Sequence, residues 1–574
     1  MHEHEVNRYL GIPTMMKRMI VCLLAAMAAS PCLAAETRIK RDKLQIVLLL
    51  GQSNMVGLGS VRTAWYLTQP QWVPPREAAL RRSRYFDWGN FYWSGLRYYV
   101  GPRKAELDRL LGERRESRWK WRRRIHGREG IKWDEASWGK HPGYGRSNVY
   151  PFLDKKAEEE GIYKRMAEIL DSDENQLTAD VAYEQMTRRD GKIAEERRRV
   201  IEIYLKGTTG EDFDGFDAAV RAAEQGGTLV TGVGKNEPFP EAEKHRATYA
   251  ELARKHVRLP IAKRTRIYAH GAVSGSGGQG IVSTTHGPLS VGYGAGITKI
   301  GPEYGVGITL ERLVDAPILL VKCSWGNTSI ADAWRAPSLD GVETPTEKAM
   351  REDANRAETE EAKREGRKAE LRPAPKRTDK LSWCWEKVMP QIDRVLADPG
   401  RFHPEYDPQK GYEVAGLVWF QGYSDMGNPA YAELLIQLIK DLREKVKTPN
   451  MPVVCGSLGH AAYKQSALSS EANKGMLQAS GAPELKGTVD VVNTAPFYPV
   501  EFDFFGQIRR SLDENSDEFK KLEALGDRAI GDGGSTHYHG SAKFFLLMGD
   551  AVARSLANLI AGGRPMIHDS PKQE

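Results

Sequence analysis

One run of residues limits what this chain can fold into more than any other. It is Ile46-Val47-Leu48-Leu49-Leu50, followed at once by Gly51-Gln52-Ser53-Asn54-Met55. Arg41, Asp42 and Lys43 bound it upstream. The run has the length of a strand and is too short to cross a membrane. Unbroken Val/Ile/Leu character suits a strand buried on both faces of a parallel sheet. In open α/β sheets, ligands bind just beyond the carboxyl ends of the strands. Ser53 therefore stands where a reacting side chain belongs. The plainer alternative is an ordinary strand-to-helix turn in which Ser53 or Asn54 only caps the next helix.

The 574 residues allow a large core and more than one domain. With 83 basic and 76 acidic residues the net charge is +7, too mild an excess to imply nucleic acid. The start of the chain reads as a secretory signal. Lys17 and Arg18 precede an apolar run over residues 19–29, and Ser30-Pro31-Cys32-Leu33-Ala34 offers a small-residue exit. Cleavage after Ala34 or Ala35 leaves residues 1–35 as signal and upstream extension, with Met15, Met16 or Met19 as alternative starts. An uncleaved anchor is the competing reading, but the apolar run is short for a span. No second stretch is long and apolar enough to cross a membrane. The chain is expected to be exported, to the periplasm or the exterior. Cys22 and Cys32 leave with the signal. Cys323, Cys384 and Cys455 are odd in number, far apart and without CxxC spacing. They form neither a disulfide framework nor a zinc site, and Cys323 and Cys455, in or beside apolar runs, read as buried free thiols.

Residues 36–59 open the catalytic unit. Residues 60–264 are charged and aromatic, with helix-like segments at 155–170 and 192–205, and read as a large, mostly helical insertion. Within it, the arginine-rich stretch from Arg114 to Arg124 holds Trp119 and Trp121. An RNA-binding patch has this composition. A solvated helix face is the stronger reading, and the export signal adds to it. Gly275-Ser276-Gly277-Gly278-Gln279-Gly280 matches GxGxxG, but a dinucleotide site needs a helix to start there. Residues 281–288 are a poor helix start, so the stretch reads as a flexible loop.

The α/β rhythm returns within residues 265–562. Strands are expected at 317–323, 415–420, 451–455 and 489–494, and helices at 304–314, 383–396, 431–445 and 542–561. Residues 339–380 read as a solvated charged excursion, partly disordered. Residues 563–574 form a tail. Strands alternating with helices at these spacings predict a doubly wound parallel sheet.

Three strand ends carry small polar loops: Gly51-Gln52-Ser53, Trp325-Gly326-Asn327 and Gln421-Gly422. Thr536-His537-Tyr538-His539-Gly540 precedes the final helix. Acyl transfer needs these parts. A serine hydroxyl is a weak nucleophile until an imidazole takes its proton. The tetrahedral intermediate needs fixed donors, and glycine lets backbone N–H groups approach closely. The nucleophile elbow G-x-S-x-G is absent, because Met55 follows Ser53 by two residues.

The block Gly51-Gln52-Ser53-Asn54-Met55 resembles the first block of the SGNH (GDSL-like) hydrolases. More narrowly, it is similar to the sialate O-acetylesterase-like branch related to the family 6 carbohydrate esterases. Residues 322–329, running on to Trp334-Arg335-Ala336-Pro337-Ser338, resemble that branch's second block. Residues 419–425 resemble its third, and residues 537–543 its histidine block. The blocks stand in the family's order. The resemblance implies a three-layer, flavodoxin-like sandwich and removal of O-acetyl groups from a carbohydrate, with no metal or cofactor. It implies Ser53 as nucleophile, His537 as base and then acid, and the N–H groups of Ser53 and Gly326 in an oxyanion hole.

Two positions depart from the family. Its third oxyanion donor is an asparagine where this chain has Ser424. Ser424, Asn327 or Gln421 supplies the donor, or the hole has two. The family's aspartate three residues before the histidine is here Gly534. Asp532 is the nearest upstream acid, Asp425 the other candidate, and a backbone carbonyl a third possibility. Gln52, Asn327, Arg335 and Asp425 are candidates to contact substrate, although Arg335 equally suits a surface ion pair. His539 competes with His537, and the two together could hold a metal, but no third ligand stands near. His270, His286 and His460, placed in loops after strands, read as structural or solvated. A glycan-binding protein on the same scaffold, motivated by Gly534 and Ser424, is the competing function. A lipase or thioesterase is a third.

Overall fold

The computed structural model describes residues 38–73, 193–232, 241–272, 283–378, 382–459, 470–499, 512–531 and 534–565, with isolated positions between 103 and 168 and between 501 and 509. The signal segment, the Arg114–Arg124 stretch, residues 275–280, His460 and the tail from 566 lie outside the described residues. The helix expected over 155–170 is described at isolated positions only.

The elements that position the site run as follows. Strand β1 is Leu44–Gly51 and the short helix α1 is Ser53–Val56. Helices α2 (Ala194–Tyr204), α3 (Gly210–Gln225) and α4 (Glu241–Val257) precede β2 (Thr265–Ala272) and β3 (Ser283–Pro288). Then come α5 (Pro302–Leu313), β4 (Ile318–Trp325), α6 (Pro345–Glu365), α7 (Trp383–Ala397) and β5 (Tyr412–Phe420). The chain continues through α8 (Tyr431–Lys445), β6 (Val453–Gly456), α9 (Glu471–Gly481) and β7 (Val489–Val492). It closes with α10 (Asp517–Ala529) and α11 (Ala542–Ile560).

Seven strands form one sheet in the order β7-β6-β5-β1-β4-β2-β3. Neighbours are parallel throughout except β2 with β3. The apolar run of β1 lies at the centre, and every residue of the strand is buried. Its period of two sends Val47 and Leu49 to one face and Ile46, Leu48 and Leu50 to the other. Helices α5 and α11 cover the first face; α7, α8 and α9 cover the second. The architecture is a three-layer α/β/α sandwich. Helices α5 and α11 cross at glycines, where a Cβ on Gly305 would lie 2.8 Å from the Gly549 Cα. Setting aside the β2–β3 hairpin, the order is β4-β1-β5-β6-β7. The chain winds away from β1 first through β4 and then, on the other side, through β5. That reversal puts a topological switch point, and hence a crevice, between β1 and β5.

Two expectations change. Residues 283–288, expected as loop, form edge strand β3, paired in antiparallel register with β2. Thr284 and Thr285 are β-branched and fit a pleated edge, though nothing there is strongly apolar. His270 and His286 consequently lie in strands, not loops. The described helices of the 60–264 region pack into the core: Val200, Tyr204, Phe213, Phe216 and Tyr249 share one apolar cluster with Val47 and Leu49 of β1. The charged excursion is ordered as helix α6. Thr344 and Glu347 form a reciprocal capping box, Pro345 takes the first helical position, and Gly366 ends the helix at φ 67°. Cys323, Cys384 and Cys455 are buried free thiols. No helix among the described residues is long and apolar enough to cross a membrane.

Candidate active site

Strand register assembles the site. Gly51 lies opposite Ser324 of β4 and Phe420 of β5, and Gly271 of β2 lies opposite Ser324 as well. The polar loops after β1, β4 and β5 therefore leave the sheet at one level. Gly51 admits no side chain, since a Cβ there would sit 2.2 Å from the Phe420 carbonyl oxygen. The Gln52 side chain crosses the switch point, its Oε1 accepting from the Gly422 N–H at 3.2 Å. Gly422 itself adopts φ 145°, in the region that favours glycine.

Helix α1 is a single turn. Met55 and Val56 donate to the Gln52 carbonyl, and Gly57 donates to that of Ser53. The N–H groups of Ser53 and Asn54, at its start, have no acceptor within the helix. Ser53 is 8 % exposed at the crevice floor.

His537 arrives from the other end of the chain. Its Nε2 lies 3.0 Å from Ser53 Oγ. The turn that aims it is tightly built. The N–H groups of His537 and His539 both donate to the Gly534 carbonyl, at 3.1 and 2.7 Å. Gly534 adopts φ 58°, and Tyr538 and His539 both adopt φ 55°. Left-handed residues of this kind are strained unless glycine, so the surroundings must hold them. Tyr538 is fully buried and stacks on Phe544 with ring centroids 3.5 Å apart. The same turn points His539 away, its Nε2 3.3 Å from the Tyr498 hydroxyl. The geometry thus brings His537, not His539, to Ser53. Asn54 Nδ2 donates to the Thr536 carbonyl at 3.4 Å and ties the serine turn to the histidine turn.

Of the two candidate acids, Asp532 lies outside the described residues. Asp425 is buried and engaged elsewhere. It accepts from the Ile330 N–H at 2.9 Å, from Gln421 Nε2 at 2.6 Å and from Asn428 Nδ2 at 3.3 Å. Burial pushes its pKa up, against those hydrogen bonds. It braces the loop after β4 through the Ile330 N–H.

The remaining candidates divide. Gln421 is fully buried, and Nε2 donates to the Thr328 carbonyl at 2.9 Å and to Asp425. Its Oε1 accepts from the Tyr431 hydroxyl at 2.9 Å. This amide has no donor left for an oxyanion. Arg335 is likewise committed. It grips both Glu347 oxygens, at 2.8 and 2.9 Å, and the carbonyls of Ala331, Leu339 and Val342. All five guanidinium N–H groups are used, so Arg335 anchors the start of α6 and has none for substrate. Gly326 is buried at the end of β4. Asn327 and Ser424 are exposed at the rim, and their side chains make no hydrogen bond among the described residues.

Sequence reasoning missed a pocket of about 70 Å³ beside α1. Val56, Arg246, His270, Thr285, Tyr293 and Lys322 are among its lining. Arg246 comes from α4, so the inserted helices supply part of this wall. Its guanidinium lies over the Tyr293 ring, 4.1 Å from the centroid. His270 Nδ1 is 2.7 Å from Thr284 Oγ1. Burial first, then Arg394 and Lys387, lowers its pKa to about 4, so it is neutral near pH 7. A lysine inside the apolar run of β4 was the one visible sign of polar structure here.

Residues 402–494 match the family model described as carbohydrate esterase, sialic acid-specific acetylesterase. The match covers β5 to β7 and includes the Gln421-Gly422 loop. Over these residues the chain is similar to the sialic acid-specific acetylesterases among the carbohydrate esterases. No curated protein matches it. Among solved structures it is similar to a protein from Arabidopsis thaliana at 14 % identity, over 52 % of this chain and 82 % of that one, with a TM-score of 0.26. A carbohydrate acetylesterase from Xanthomonas citri matches at 13 % identity, over 45 % of this chain and 48 % of that one, with a TM-score of 0.22. NanS matches at 15 % identity, over 41 % and 69 %, with a TM-score of 0.23. These likenesses are too slight to carry an argument.

Proposed function

We propose that this protein is an exported serine esterase that removes O-acetyl groups from a carbohydrate through an acetyl-enzyme. The observation that carries the proposal is the 3.0 Å contact between His537 Nε2 and Ser53 Oγ at the switch point. The family match over residues 402–494 supports the acetyl and carbohydrate parts.

Ser53 Oγ attacks the acetyl carbonyl carbon while its proton passes to His537 Nε2. The tetrahedral oxyanion is held by the backbone N–H groups of Ser53 and Gly326, with Ser424 or Asn327 as a third donor. His537 then gives the proton to the departing sugar oxygen, leaving acetate esterified to Ser53. Water, deprotonated by the same ring, releases it. Asp532 is the acid proposed to orient the imidazole.

The test is acetate release by the chain from Ala35 onward, with Ser53→Ala beside it, on an aryl acetate and a panel of O-acetylated glycans. The parent is expected to release acetate, and the variant to fall by about 10²–10⁴-fold or more. Equal rates would sink the nucleophile, and binding to the glycan panel without turnover would favour a glycan-binding protein.

A further inference from the structure

Behind the serine turn lies a buried ion pair that the proposed reaction does not use. Lys322 stands in β4, four residues before Gly326, with its side chain 3 % exposed; Glu303 opens α5 with its side chain fully buried. Nζ and Oε2 are 2.7 Å apart. The ammonium also donates to the carbonyls of Val56 and Tyr293, each at 2.8 Å. The other carboxylate oxygen accepts the Gly301 N–H at 2.8 Å. All three ammonium protons are thus assigned. Two backbone contacts close the same joint. A Cβ on Gly57 would lie 2.2 Å from the Gly301 Cα, and Ala295 donates to the Gly57 carbonyl at 2.7 Å.

Stability alone is a poor account of this pair. Desolvation offsets most of the attraction between two buried charges, and apolar replacements often serve as well. Burial drives Glu303 upward and Lys322 downward in pKa, each toward neutrality, while their pairing opposes it. What the pair does that an apolar pair cannot is hold the Val56 carbonyl. Helix α1 is one turn long, with Ser53 first and Val56 last. A turn this short does not hold itself, so the direction of Ser53 Oγ depends on what grips its far end. Lys322 is rooted in the strand that ends at Gly326. One side chain therefore sets the nucleophile turn against the loop that supplies the second oxyanion N–H.

We infer that Lys322, held by Glu303, is a positioning residue for Ser53 and for the Ser53–Gly326 oxyanion donors. The inference rests on Ser53 acting as the nucleophile. Its test is the charge-neutral double variant Lys322→Met/Glu303→Gln, compared with the parent and with Ser53→Ala. A serine-directed phosphonate is run to completion to count competent sites, its labelling rate is recorded, and kcat and KM are measured on an aryl acetate per labelled site.

The double variant is expected to reach the parent's labelling endpoint, but more slowly. Its kcat per site should fall on the order of 10- to 100-fold, as displacement of a reacting group does, with KM close to the parent's. Parental kcat per labelled site overturns the inference, since a purely structural pair changes the number of folded sites and not their rate. If the double variant does not fold, Lys322→Gln/Glu303→Gln, one bond short of Val56, is read by the same outcomes. Failure of both to fold assigns the pair to folding and ends the positioning role. If Ser53→Ala labels and turns over like the parent, it is the nucleophile assignment that fails.

Discussion

Gln421 and Arg335 can be set against Ser424 and Asn327. All four are polar side chains in loops that follow the strands of one sheet, and all four suit a substrate or oxyanion on sequence grounds. Gln421 and Arg335 have every donor occupied by the protein itself. Ser424 and Asn327 stand at the rim with side chains making no hydrogen bond among the described residues. A donor already satisfied inside the fold cannot serve a transition state without breaking something. A spare donor can. In the proposed reaction the chemistry therefore falls to the under-committed groups, while the saturated ones hold the loops in place.

That contrast can be broken at its most active point by Ser424→Ala. With Ser424 as third donor, kcat should fall about 10²-fold or more at unchanged melting temperature. An unchanged kcat would leave a hole of two backbone donors.

The contrast also extends to histidines, since His270 is half-buried and bonded to Thr284 whereas His537 faces Ser53. The folded pKa of His270, about 4, lies below the ordinary 6.5. Between those values the unfolded chain binds a proton that the native chain refuses, so stability is full above pH 6.5 and declines as pH falls toward 4. The share from this ring is on the order of 3 kcal/mol. His403 is shifted in the same direction by burial and adds to the slope. Denaturant unfolding at pH 7 and pH 4 should show a smaller loss in His270→Gln than in the parent; identical losses would remove His270 from the account.

Gln421→Leu tests the saturated side. It strips partners from the Thr328 carbonyl, the Asp425 carboxylate and the Tyr431 hydroxyl, and should cost about 1–3 kcal/mol of stability. A parental denaturation midpoint would deny that these bonds matter. Arg335→Ala is the smallest effect. Its ion pair is partly exposed, so the loss should be near 1 kcal/mol, with KM for an acetylated glycan unmoved. A raised KM would return Arg335 to the substrate.

Much of the frame was legible because single elements carried strong local signals. The apolar run of β1 needed no partner to be read as a buried strand. Helix α8 was bounded correctly at both ends by its own periodicity. Strand β3 was not legible, because Ser283-Thr284-Thr285-His286 has little apolar character and its pairing with β2 is a tertiary fact. The choice of His537 over His539 came from the family resemblance and not from the local sequence. It depends on left-handed backbone at Tyr538 and His539, which no glycine there announces. Lys322 was visible as a misfit within an apolar run, but Glu303 looked like an ordinary acid in a helix's first turn.

The contact between Ser53 and His537 spans 484 positions along the chain. The second of these residues is made long after the first. Their meeting waits on α11, which buries nearly all of its length against the sheet and α5. Closing so long a loop adds little to the equilibrium cost, but contacts this distant in sequence form slowly. The proposed hydrolysis thus requires both stretches to be in place. On the proposed mechanism, a polypeptide interrupted ahead of α11 carries the serine without turning over, and turnover regained during refolding marks the docking of α11, not the first collapse.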